Sequence, residues 1–91
     1  MESRRKLNVS TLLPAQCRAG RALLGWSRER LAEAASVGLR TVMDFESETR
    51  SPRQPTLDAL RAAFAAGGLI VLDEGSNAPG GPGVRLAKVS R

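Results

Sequence analysis

The 91-residue chain has room for one domain with at most one appended element, and for only a modest interior. It carries 14 Lys+Arg against 9 Asp+Glu, a formal net charge of +5, and 12 of the basic residues are arginine, whose planar guanidinium grips phosphate and guanine edges in two-pronged fashion. Histidine is absent and Cys17 is the one cysteine, which excludes an intramolecular disulfide, the usual zinc spacings and His-dependent acid–base or nucleophilic catalysis.

In chain order, residues 1–10 are polar and without periodicity, with a basic knot at Arg4-Arg5-Lys6; a flexible basic arm is expected there. A first helix is predicted from about Leu13 to Leu24, with Pro14 in its first turn and Leu13, Cys17, Gly20 and Leu24 as its inner stripe. Gly20 allows another element to approach closely, and Gly25 ends the helix as a left-handed cap. Ser27 is the expected N-cap of a second helix, with Glu29 in its first turn and Trp26 before the cap, placed to staple onto Leu31. Leu31, Ala34 and Ala35 supply its inner face, and Ala32 is small enough for a neighbouring helix to come near.

The segment "ASVG" breaks the pattern, and a third helix is expected from roughly Leu39 to Ser47. Its apolar side holds Val42 and Phe45, with Val37 just before it, which leaves Leu39, Arg40, Met43 and Asp44 pointing outward. The loop "SETRSPRQP" follows; Thr56 is then read as the cap of a fourth helix with Leu57, Leu60 and Phe64 inward, stopped by Gly67-Gly68. In the tail, "LIVL" at 69–72 and "VRLAKV" at 84–89 flank a Gly/Pro-rich turn and predict a β-hairpin. Gly80, Gly81 and Gly83 lie among prolines and read as turn, not as a phosphate cradle. No run is apolar enough to span a bilayer and no signal-peptide pattern is read, so a cytoplasmic, nucleoid-associated protein is expected, with no membrane partner. The fold class expected is mainly α: an arm at 1–10, a helical domain at 11–67 and a hairpin at 68–91.

Two short helices joined by a tight turn, the second with an unusual outward face, are the helix-turn-helix arrangement. From Trp26 to Ser47 the chain stands as "WSRERLAEAASVGLRTVMDFES" and resembles the phage-repressor and Cro-like (XRE) helix-turn-helix family. Leu31-Ala32, Val37, Thr41-Val42, Phe45 and Glu46 match its pattern, and a weaker likeness runs from about Gln16 to Gly67. The departures are Ser36 where the turn commonly has Gly, Gly38 in place of a Ser or Thr cap, and Arg28 in place of Gln. Ser36 is therefore expected to take positive φ at some cost.

The resemblance implies a four-helix, lambda-repressor-like domain that reads double-stranded DNA in the major groove with helix three, as a homodimer on a pseudo-palindrome, without catalysis, cofactor or metal. It implies base contacts from Leu39, Arg40, Met43 and Asp44. Arg40 can donate twice to guanine, Leu39 and Met43 can meet a thymine methyl, and Asp44 can accept from cytosine or hold Arg40 as its i+4 neighbour. Backbone contacts are expected from Ser27, Arg28, Thr41, Arg50 and Arg53, and Arg4, Arg5 and Lys6 are a candidate DNA arm. Arg21 and Glu46 are implied as a structural brace. Leu69, Ile70, Val71 and Leu72 are apolar on both strand faces and are expected to join two subunits. The alternative is an autoregulating antitoxin, whose tail would bind a toxin; a helical adaptor that binds only protein, such as the transcription machinery, is a third reading.

Overall fold

A computed structural model describes residues 11–75 and 79–88; the basic knot Arg4-Arg5-Lys6 and Val89 lie outside them. The element order is α1 (Pro14–Leu24), α2 (Arg28–Ala35), α3 (Leu39–Glu46), α4 (Gln54–Ala66), β1 (Leu69–Leu72) and β2 (Gly83–Leu86). The protein is thus mainly helical, with four helices and one antiparallel hairpin. No helix among the described residues is long and apolar enough to cross a membrane.

The helices form where an apolar stripe at helical spacing meets local start and stop signals. Gly25 closes α1 in the left-handed region at φ 69°, and the Ser27 side chain accepts the Arg30 N–H at 2.9 Å to open α2. Together the helices bury Cys17, Leu31, Ala32, Val42, Phe45, Leu60, Ala63 and Phe64. Trp26 stacks on Phe64 of α4, ring centroids 6.0 Å apart, and packs against the core. The Arg30 guanidinium lies over the Trp26 ring, 5.2 Å from the centroid.

Several local expectations need correction. α1 turns Gln16, Cys17 and Gly20 inward, with Leu24 packed against the core as expected; Leu13 is instead the exposed N-cap, because the helix begins at Pro14, and the buried Leu12 lies just ahead of it. Gln16 is a buried polar residue and earns its place by hydrogen bonding. Its Oε1 accepts the Leu13 N–H at 2.9 Å, and its Nε2 donates to the carbonyls of Leu72 and Gly83 at 2.9 and 3.1 Å. Ala34 is exposed. Thr56 does not cap α4: Arg53 occupies that position and Pro55 sits in the first turn, where its missing N–H costs nothing. The second strand stops at Leu86, although Ala87 still donates to the Gly68 carbonyl at 2.7 Å.

The hairpin pairs Leu69 with Leu86, Ile70 with Arg85, Val71 with Val84 and Leu72 with Gly83. One face packs on the helices: Leu69 is 3% exposed, and Val71 and Val84 border the core. Leu69 is therefore an interior residue of its own chain and drops out of the surface expected to join subunits. Its position depends on Gly20, where an added Cβ would lie 2.6 Å from Leu69 Cδ2. Ile70 and Leu86 stay exposed. From α4, Arg61 clamps the hairpin, donating to the Val71 carbonyl at 3.3 Å and to both Asp73 oxygens at 3.1 and 3.2 Å. It also donates to the Thr11 carbonyl ahead of α1.

Candidate nucleic-acid interface

The face of interest is presented by the α2–α3 connection, residues 36–38. Ser36 adopts φ 57° and ψ 42°, a left-handed conformation that turns the chain while its N–H and that of Val37 satisfy the carbonyls of Glu33 and Ala32. Gly38 then opens α3 from an extended conformation with no side-chain cap. Val42, Phe45 and Glu46 face inward, and the opposite side of α3 is left to Leu39 and Arg40.

Of the outward-facing residues expected on α3, Leu39 and Arg40 are exposed, whereas Met43 and Asp44 are half-buried, as is Thr41. The Arg40 side chain is 81% exposed, and its Nε lies 3.4 Å from Asp44 Oδ1, whose side chain is 24% exposed. Beyond α3, Glu48 takes φ 63° and the chain doubles back, so that the N–H groups of Thr49 and Arg50 donate to the Asp44 carbonyl at 2.9 and 3.3 Å. This brings Arg50 beside the helix. Arg40, Thr41, Asp44, Arg50 and Pro52 line one hollow of about 140 Å³. Arg53 is exposed at the start of α4, and Ser27 and Arg28 are exposed at the start of α2. The structure therefore brings Arg40, Thr41, Asp44 and Arg50 together, with Arg28 and Arg53 at helix starts.

Behind this face lies a buried polar cluster that fixes α3 to α1. Arg21 forks onto Glu46, Nε to Oε2 and Nη2 to Oε1, both at 2.7 Å, and its Nη1 donates to the Trp26 carbonyl at 3.2 Å. The Cys17 thiol donates to Glu46 Oε2 at 3.0 Å. Burial works to raise the Glu46 pKa, but the hydrogen bonds from Arg21 and Cys17 outweigh it and hold the carboxyl below its ordinary value. The same carboxylate raises the Arg21 pKa by accepting its hydrogen bonds. Burial, with the hydrogen bond to Glu46 second, pushes the Cys17 thiol far up. Arg18 donates to the Glu46 backbone carbonyl at the end of α3, and its Nη1 lies 4.0 Å from Glu48.

Sequence reasoning missed Gln16, Arg18 and Arg61. Arg61 follows Leu57 by one helical turn, so its spacing already set it beside the apolar stripe of α4. Arg18 precedes Arg21 by nearly a turn of α1. For Gln16 no local signal existed, because its acceptors lie in the hairpin. No model of a known protein family matches the chain, and no curated protein matches it.

Proposed function

We propose that the protein is a sequence-specific, double-stranded DNA-binding transcription regulator of the helix-turn-helix kind, with a lambda-repressor-like arrangement of its helices, that reads the major groove with α3. The observation that carries this reading is the outer face of α3. A solvated helix face ordinarily mixes Glu and Lys, whereas this one sets an exposed leucine and an exposed arginine beside a second arginine brought back by the following loop. A helix of this width fits the major groove, where arginine can recognise guanine and an apolar side chain can meet a thymine methyl. Arg28, Ser27, Arg50 and Arg53 supply backbone contacts, and the net charge of +5 favours approach to a polyanion.

One such unit covers few base pairs, so the reading includes a homodimer. The surface that supports it is the hairpin: Ile70 and Leu86 are exposed, and among the described residues no backbone group outside the hairpin bonds Val84 or Leu86.

Fluorescence anisotropy with a labelled duplex from upstream of the protein's own gene tests the reading, comparing wild type with Arg40→Ala across a salt series. Binding should weaken as salt rises, and the variant should lose its preference for that duplex over random DNA. Equal, weak binding of both proteins to every duplex would overturn it.

A further inference from the structure

Arg40 is held along one edge only. Its Nε lies 3.4 Å from Asp44 Oδ1, one turn further along α3, and the exposed arginine leans on the far less exposed acid. Asp44 is itself fixed from behind, since its carbonyl accepts from both Thr49 and Arg50 and its side chain lines the hollow that Arg50 and Pro52 help to close. An i,i+4 pair with so exposed a cation contributes little to folding. Stability therefore does not account for an acid placed at this point of a cationic face.

We propose that Asp44 is a positioning residue and not a base reader, and that the base selected is guanine. By engaging Nε, Asp44 leaves the two Nη groups of Arg40 free in solvent as a parallel pair of donors. That pair matches the O6 and N7 acceptors on the major-groove edge of guanine. Adenine offers N7 but sets an amino donor where O6 would be, so a guanidinium held end-on meets a donor with a donor. A lysine or an untethered arginine also favours the guanine acceptors, but without a fixed planar fork it discriminates less sharply. Asp44 is thereby assigned as the partner of Arg40 in place of an acceptor for cytosine. The inference rests on the DNA-reading function proposed above.

The test is selection of binding sites from a pool of randomised duplexes, run with the full chain and with its Asp44→Asn and Arg40→Lys variants, alongside salt series and thermal melts. Wild type should enrich guanine at one position of each site. Asp44→Asn should melt as wild type does and keep its salt dependence, while its preference for guanine over adenine at that position falls about tenfold. Arg40→Lys, altered at an exposed side chain, should weaken the same preference, since the ammonium lacks the planar fork. Full guanine preference in either folded variant would overturn the inference and leave the DNA reading standing. So would an Asp44→Asn variant that loses a preference for cytosine instead. Failure of the wild type to enrich any sequence would overturn both.

Discussion

Glu46 keeps a negative charge with only 5% of the residue exposed, which is tolerable because Arg21 and Cys17 bond both carboxylate oxygens. Removing one partner of such a pair strands the other, and that loss exceeds what the intact pair contributes. Glu46→Gln should lower unfolding free energy at neutral pH by about 3 kcal/mol in urea titrations. The pH dependence follows from the direction of the shift. The folded carboxyl titrates below its ordinary value of 4.5, so between the two values the unfolded chain binds more protons. The contribution of Glu46 is therefore complete above about pH 4.5 and is lost as pH falls through the folded pKa. Stability of Glu46→Gln should be flatter across that acid range. Ser36 offers the opposite case. Its φ of 57° disfavours any residue with a Cβ. Ser36→Gly should raise stability by about 1 kcal/mol, or roughly 4–8 °C in melting temperature for a domain of this size. An unchanged melt would show that Ser36 is not strained.

At the scale of elements, the helices were legible because each buries residues recurring with helical period between recognisable ends. Gly25, Ser27 and Gly38 act where their backbone chemistry placed them. Boundaries were less legible. Thr56 has the chemistry of a cap, but Pro55 is already prearranged for a first helical turn and starts α4 earlier. The contact of α1 with the hairpin turns on Gly20. A Cβ there would lie 2.6 Å from Leu69 Cδ2 and 3.1 Å from Phe64 Cε1, both on buried side chains with little room to yield. The overpacking, about 1–3 kcal/mol, should exceed the helix propensity that alanine gains. Gly20→Ala is thus expected to be destabilising overall, as read by thermal melting. Arg61→Met should keep much of the α4 packing while releasing Asp73 and the Val71 carbonyl. Amide exchange in β1 and β2 should quicken, with that of α2 and α3 changed only as far as global stability changes.

For the whole molecule, the two faces of β1 have different tasks. Leu69 belongs to the single core, so Leu69→Ala should cost about 2–5 kcal/mol, whereas Ile70 is exposed and its truncation should cost the isolated fold little. If two chains join through the outer hairpin, Ile70→Glu with Leu86→Glu should give a folded monomer by light scattering where wild type gives a dimer. A wild-type monomer at high micromolar concentration would refute the dimer. Composition and period alone determined that the chain is mainly helical and that α3 sets Leu39 and Arg40 against an apolar back; they also set Met43 and Asp44 outward, which the fold leaves half-buried. The pattern also left "LIVL" with more apolar surface than one strand can hide. Which of those side chains goes inside was decided by tertiary structure, because α1 and α4 meet β1 across long stretches of sequence and Leu69 fills space that a side chain at Gly20 would take. The same holds for Gln16, Arg18 and Arg61, each of which donates to a backbone carbonyl on a distant element. Backbone carbonyls exist at every residue, so no side-chain pattern marks which of them a folded chain will bring within reach.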